Sequence, residues 1–498
     1  MNIIEESIKR RPSHTKIVAT IGPACEGVDK LGELIAAGVD VFRINTAHGS
    51  RQENDRRLGD VREASRRAGA PVAVLVDLAG PKIRLGELPG GAVQLVAGQR
   101  VRFVPGTTTA APGELVTTYA PLVSELRPGD RVVLADGTVA LVVEEVQAAS
   151  ATCRIVQSGL VRSRQGVNLP GVKLSVPSMN DQDRDNAAWA AAAGVDFVGL
   201  SFVRSAADIH GLKAILAQHG PETQVADFRS LQDFGSLGTQ VVAKIEKPEA
   251  VENLDSIVAA ADAIMVARGD LGVEIDIAEV PMVQKRIIRA CHCARKPVIV
   301  ATQMLDSMQH SRLPTRAEAT DVANAILDGS DACMLSGETA IGEYPREAVE
   351  TMHRIALATE SAARGRLCPD GPVPTGDRVN PITEATTRAA GRIAAEIGAK
   401  LIVVASASGR SALSISQYRH GVPVIGISQS DAALRRMCLY WGVVPIAGAP
   451  AETSGKLLDW VVQRGRSAGF LVAGDRIVLI TGTGTPASRH NAVVVHEV

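Results

Sequence analysis

The sequence predicts an α/β protein built on a closed (β/α)8 barrel, with a small inserted β-barrel lid domain and a C-terminal open α/β domain. Three observations carry that reading. Eight short apolar runs alternate with segments of helical periodicity between residues 16 and 364, the pattern that parallel strands joined by helices produce. The chain is 46% hydrophobic but only 3% aromatic, with 46 glycines, so its core must be Ala, Val, Ile and Leu, as in buried parallel sheets. Charged and hydroxylated residues recur directly after the apolar runs, where barrel strands deliver side chains to one rim.

After a polar tail, 1–14, the strand-like runs are 16–22, 39–45, 71–77, 197–203, 241–246, 263–270, 297–303 and 332–338. Helical spacing marks 51–69, 180–194, 205–219, 248–261, 279–295, 316–328 and 345–363. Ser178 precedes an acidic first turn, Pro248 opens a helix, and Gly69, Gly194 and Gly329 close others. Eight such units in series predict a TIM-type barrel from 1–85 and 173–364, with no internal repeat beyond the strand–helix unit. About ninety residues, 86–172, interrupt the third unit where a few would suffice. Their alternating Val-rich runs, separated by Pro-Gly, Gly-Asp and Asp-Gly turns, predict a β-rich insertion at the rim, placed to act as a lid. The polar stretch 221–239 lengthens the loop before the fifth strand, at the opposite face, and carries no functional reading. A Pro/Gly-rich linker, 365–381, leads to the C-terminal domain, 382–498, with helices at 382–398, 411–419, 430–440 and 455–468. Its strands fall at 400–406, 423–428, 443–447, 476–482 and 491–498.

The net charge of −1 leaves no global attraction to nucleic acid or membrane. No apolar run approaches the ~20 residues of a membrane helix, and the first residues lack the order of a signal peptide. Seven scattered cysteines read as reduced thiols of a cytoplasmic protein. The one-residue spacing of Cys291 and Cys293 inside a helical pattern favours buried thiols over zinc.

With the barrel granted, the rim residues follow. The second strand delivers Arg43, Asn45 and nearby His48, and the third delivers Asp77 with Lys82 and Arg84 beyond. The fifth delivers Lys244 and Glu246, and the sixth Arg268, Gly269 and Asp270. Thr302 and Gln303 end the seventh, Ser336 and Glu338 the eighth. Any one of these alone reads as an ordinary loop charge. Together, cations with two carboxylates at neighbouring strand ends describe a site for a polyanion with Mg2+, Mn2+ being possible, which is the equipment of phosphoryl transfer. Gly269 and Asp270, at a helix start, have backbone N–H groups suited to a carboxylate. No Gly-x-x-x-x-Gly-Lys-[Ser/Thr] loop is present, so a nucleotide is held differently.

Several motifs resemble those of the pyruvate kinases in order and spacing. They are Thr-Lys-Ile-Val-Ala-Thr-Ile-Gly-Pro at 15–23, Phe-Arg-Ile-Asn-Thr-Ala-His-Gly at 42–49, Asp-Leu-Ala-Gly-Pro-Lys-Ile-Arg at 77–84 and Lys-Ile-Glu at 244–246. Met-Val-Ala-Arg-Gly-Asp-Leu-Gly-Val-Glu at 265–274, Ala-Thr-Gln-Met-Leu-Asp-Ser-Met at 301–308 and Met-Leu-Ser-Gly-Glu-Thr-Ala at 334–340 continue the set. The resemblance implies transfer of phosphate from phosphoenolpyruvate to ADP, giving pyruvate and ATP, in a homotetramer. It implies Glu246 and Asp270 as Mg2+ ligands. The substrate carboxylate would rest on the Gly269 and Asp270 N–H groups and the Thr302 hydroxyl, with Arg43 and Lys244 flanking the phosphoryl group. Thr302 would stand on the proton route, Asn45, His48 and Arg84 would face the nucleotide, and Asp136 would swing in with the lid. Ser406, Ser408, Gly409, Arg410 and Ser411 resemble an effector loop for sugar phosphates or nucleotides, with 481–485 lining the same pocket.

The chain departs from the pattern where the family binds K+. Asn45 and Asp77 are present, but Ala47 replaces a serine and Lys82 a glutamate. The expectation is that the Lys82 ammonium stands in for K+, so that K+ is not required. Ala79 and Gln165 replace lysines, which weakens the expected lid contacts to ADP. Two other functions compete: a Mg2+-dependent enolate lyase or aldolase on the same barrel, and a non-catalytic metabolite sensor. The large lid and the Lys244–Glu246 pairing argue against the first, and the intact set of Arg43, Lys244, Glu246, Asp270 and Thr302 against the second.

Overall fold

Eight parallel strands, Lys16–Thr20, Val41–Asn45, Ala73–Asp77, Phe197–Leu200, Gln240–Ile245, Ala263–Ala267, Val298–Ala301 and Ala332–Leu335, close into a barrel. The eighth pairs with the first, Lys16 beside Ala332. In this computed structural model residues 13–135, 137–220, 238–363, 381–450, 453–481 and 491–498 are described. Side chains alternate as a pleated strand requires. Ile17, Phe42, Ile44, Val74 and Val76 point outward into the core shared with the helices. Val18, Val41, Leu75, Val242, Met265 and Met334 fill the interior. Continuing the inward series by two residues along strands one, two, three and five gives Thr20, Arg43, Asp77 and Lys244, so the polar cluster is the top layer of the barrel packing.

The helices start and stop on local chemistry. Helix Arg51–Ala68 opens with a Ser50/Glu53 capping box and closes on Gly69 at φ 59°. Helix Asp181–Ala192 is capped by Asn180, whose side chain accepts from the Asp183 N–H. Ser178, the expected start, therefore lies outside it. The segment expected as one helix at 248–261 is two, Pro248–Glu252 and Leu254–Ala260, meeting at Asn253.

The insertion is β-rich. A six-stranded sheet and a two-stranded ribbon of Ala92–Leu95 with Gly159–Arg162 enclose one apolar core. The C-terminal domain has a five-stranded sheet in the spatial order Val443–Ile446, Val424–Ile427, Leu401–Ala405, Arg476–Thr481, Ala492–Glu497. Only the last strand is antiparallel. Of the stretch expected as a loop insertion, 221–237 lie outside the described residues. Among the described residues no helix is long and apolar enough to cross a membrane. Six described cysteines are free; Cys291 is buried, but Cys293 is exposed, contrary to the expectation for that pair.

The barrel floor holds a repeat of two strand–helix units that the sequence reading missed. Asp40, Asp196, Asp262 and Asp331 stand one residue before strands two, four, six and eight. Each turns a carboxylate oxygen to the N–H at the start of the preceding strand: Ile17 at 3.0 Å, Val74 at 2.9 Å, Val241 at 2.9 Å and Val298 at 2.8 Å. These N–H groups lie at the strand starts, and an unpaired buried one would cost stability. The opposite oxygens of two aspartates grip the C-terminal domain, Asp196 through Arg435 at 2.7 Å and Asp331 through Arg419 at 2.9 Å. The Arg419–Asp331 pair is fully buried, so removing one partner strands a charge, at about 3–5 kcal/mol. Arg419→Met is expected to destabilise the fold by that order, read as a lower urea midpoint, and Asp331→Asn, which keeps an acceptor for Val298 but strands the Arg419 charge, by a similar amount. A wild-type midpoint for Arg419→Met would show that the pair is dispensable.

Candidate active site

At the carboxyl rim the inward-facing charges pair across strands. Arg43 donates from Nε and Nη2 to Asp77 Oδ2 at 2.8 and 2.6 Å, and from Nη1 to Thr20 Oγ1 at 3.1 Å. Lys244 Nζ lies 2.9 Å from Glu246 Oε1 and 3.4 Å from Asp77 Oδ1, and donates to Ser201 Oγ at 2.7 Å. Phe202 N–H donates to Glu246 Oε2 at 2.7 Å. Asp77 and Glu246 are almost fully buried.

Burial and charge set the ionisation of this cluster. Burial penalises the Lys244 ammonium, but the Asp77 and Glu246 carboxylates outweigh it and raise its pKa, so Lys244 stays protonated. Burial likewise opposes the Asp77 charge, and Lys244 and Arg43 overcome it, holding its pKa below the ordinary value. Glu246 goes the other way: burial first, with the neighbouring Asp270 adding to it, raises its pKa despite Lys244. Two cations thus face three carboxylates, and the buried Glu246 Oε1 and Asp77 Oδ1 share the single Lys244 ammonium. A hard divalent cation at Glu246 and Asp270 would relieve their repulsion and use oxygen lone pairs, so these residues fit Mg2+.

The sixth and seventh strands supply the other wall. Helix Arg268–Glu274 begins directly at the strand end, and Gly269 N–H donates to Thr302 Oγ1 at 2.7 Å. Thr302 Oγ1 donates in turn to the Ala301 carbonyl at 2.6 Å. Thr302 and Gln303 have φ of 70° and 55°, and Phe202 has 54°, a left-handed backbone uncommon outside glycine. Strain of this kind collects where a site must be held in one geometry. Arg268 bonds Asp321 at 2.7 Å and the Thr302 carbonyl at 2.8 Å, bracing the wall rather than facing the cluster. Glu338 is buried and accepts from the Ser336 N–H of its own loop and from the Leu305 N–H of the loop after the seventh strand, so it ties the two loops together.

Ser201 and the Phe202 N–H were not among the expected site residues. The inward series Phe197, Gly199, Ser201 points to the first, but no charge within that strand marks it. Asn45 is half-buried, its Oδ1 accepting from Ala47 N–H, and His48 is exposed. Arg84 is exposed in the lid hinge and donates to the Arg164 carbonyl at 3.1 Å. Lys82, exposed two residues after Gly80 (φ 70°), pairs with neither Asn45 nor Asp77 among the described residues. Asp136 lies outside the described residues. In the C-terminal domain Ser406 Oγ accepts from Gly409 N–H at 3.0 Å, and helix Arg410–Gln417 begins there with Ser408 and Ser411 buried. Of the segment expected to line the same pocket, 482–485 lie outside the described residues.

Comparison with known proteins converges on one family. The model of the pyruvate kinase barrel domain matches residues 12–349, and that of the pyruvate kinase alpha/beta domain matches 384–496. Pyruvate kinase of Geobacillus stearothermophilus is 40% identical over 470 residues, 94% of this chain and 77% of the relative. That of Bacillus licheniformis is 38% identical over 487 residues, 97% of this chain and 80% of the relative. The crystal structure of a pyruvate kinase from Cryptosporidium parvum superposes with a TM-score of 0.87 at 32% identity, covering 99% of this chain and 97% of that one. With two family domains matched in order and the fold shared end to end, the chain belongs to the pyruvate kinase family.

Proposed function

We propose that this pyruvate kinase works as a Mg2+-dependent, K+-independent enzyme whose phosphoryl group passes between Arg43 and Lys244. The observation that carries the reading is the Lys244 ammonium, held charged between Asp77 and Glu246 beside Arg43, which donates twice to Asp77 Oδ2. Both cations are already oriented by buried carboxylates, so they need not reorganise as charge develops on the moving group. Because Lys244 stays protonated, it stabilises charge and does not abstract protons. Mg2+ held by Glu246 and Asp270 would neutralise phosphate oxygens and leave the cluster with a net positive charge for an anionic substrate.

The substrate carboxylate would take over the Gly269 N–H now occupied by Thr302 Oγ1. The displaced hydroxyl is then placed to hold the proton that converts enolate to pyruvate. Asn45, His48 and Arg84 would face ADP, and Asp136 would arrive with the lid. Lys82 would supply the monovalent positive charge beside Asn45 and Asp77. The loop at Ser406, Ser408, Gly409, Arg410 and Ser411 would take a phosphorylated effector, and the enzyme would be a cytoplasmic homotetramer.

A coupled assay tests the core of this. Pyruvate is expected only when phosphoenolpyruvate, ADP and Mg2+ are all present, and turnover is expected to change less than about twofold when K+ is replaced by tetramethylammonium. A large K+ activation overturns the cation reading and leaves the kinase assignment standing. Pyruvate release without ADP overturns the transfer itself.

A further inference from the structure

Directly after Glu246, Lys247 turns away from the cluster and reaches Glu274 Oε1 at 2.6 Å. Glu274 is the last residue of the helix that carries Gly269 and Asp270 in its first turn. Its side chain is 1% exposed and that of Lys247 15%, so this is a buried ion pair between the two loops that present Glu246 and Asp270. The same oxygen accepts from Asn168 Nδ2 at 3.3 Å. Asn168 lies in the lid's last strand, Val167–Asn168, just before the chain returns to the barrel. The other oxygen, Oε2, is buried and accepts no hydrogen bond. Nearby, Arg204 fixes the return path by donating to the Leu174 and Val176 carbonyls at 2.7 and 2.5 Å.

A buried ion pair with an oxygen left unsatisfied is a poor source of stability against an apolar pair of similar volume. It fixes geometry well, because a short charge-assisted contact sets one distance between two backbones. Groups of this kind, one contact removed from a metal's ligands, orient those ligands. We propose that Lys247, Glu274 and Asn168 form a positioning unit: the Lys247–Glu274 pair sets the separation of the Glu246 and Asp270 carboxylates, and Asn168 ties the seat of the lid to that separation. This rests on Glu246 and Asp270 being the metal ligands.

The test uses Mn2+ binding to the full-length enzyme without substrates, read by electron paramagnetic resonance. Lys247→Met and the isosteric Glu274→Gln are each expected to weaken Mn2+ binding about tenfold, measured at a temperature where the melting curve shows each variant folded. The double variant is expected to be no worse than the weaker single, since both remove one contact. Asn168→Ala is expected to leave Mn2+ affinity alone and raise the KM for ADP, not for phosphoenolpyruvate. Glu246→Gln separates the two levels of the argument. If it keeps wild-type Mn2+ affinity, the metal assignment falls and the positioning role with it. If it loses Mn2+ while the Lys247 and Glu274 singles bind normally, or if their losses multiply in the double variant, the positioning role alone is overturned. If Lys247→Met does not fold, Glu274→Gln decides.

Discussion

Lys244→Met is expected to lower kcat about 10²–10³-fold, the ~3–4 kcal/mol typical of removing one preorganised donor from a developing charge. Methionine fills the aliphatic volume of the lysine stem, so the loss isolates the ammonium. Asp77 keeps its two bonds from Arg43, and the barrel's top layer stays paired on that side. Glu246 fares worse: it keeps the Phe202 N–H but faces Asp270 with no cation against it. Its proton affinity, already raised, rises further, so metal binding weakens as pH falls sooner than in the wild type. Lys244→Arg is not expected to rescue, because Ser201, Asp77 and Glu246 surround a compact point charge and a planar fork does not match that cradle. The check is steady-state kinetics at saturating Mg2+, with the melting curve as a control for folding. A loss below about tenfold would remove Lys244 from the path of the phosphoryl group.

What the sequence made legible follows from strand geometry. Once the eight runs are placed in a barrel, a period of two fixes which residues crown it, and Arg43, Asp77, Lys244 and Glu246 emerge without further information. Whatever depends on neighbours across the sheet was hidden. Ser201 looks like any strand-end serine until Lys244 is seen bonding it. The Thr302–Gly269 contact joins two loops far apart in the chain. The floor aspartates resemble turn residues, since each follows a short glycine- or alanine-containing stretch; only strand pairing shows each one bonding the start of the preceding strand. Glu338 fails in the other direction. It stands at a strand end, but its carboxylate is taken up by the Ser336 N–H of its own loop and the Leu305 N–H of the neighbouring strand's loop, which a charge count does not reveal.

Lys82→Glu combined with Ala47→Ser is expected to convert the enzyme into one that needs K+: turnover in K+-free buffer falls about 10²-fold, and K+ restores most of it. The physics is one of charge conservation beside the moving phosphoryl group. A lysine there is a tethered monovalent cation with no concentration dependence, whereas glutamate and serine together supply oxygens that hold K+ but no charge of their own sign to replace it. Lys82 has the freedom this role needs: it is exposed, follows Gly80 and Pro81 in the hinge, and has no carboxylate partner among the described residues. Asp77, meanwhile, is satisfied by Arg43 and Lys244, so an added monovalent charge serves the substrate rather than this carboxylate. Activity titrated with K+ and with tetramethylammonium decides the matter, run on both single variants and the pair. A double variant whose K+-free turnover stays within about twofold of the wild type means that Lys82 does not carry the charge. One that loses activity without recovery in K+ means that the glutamate and serine do not rebuild an ion site around Asn45 and Asp77.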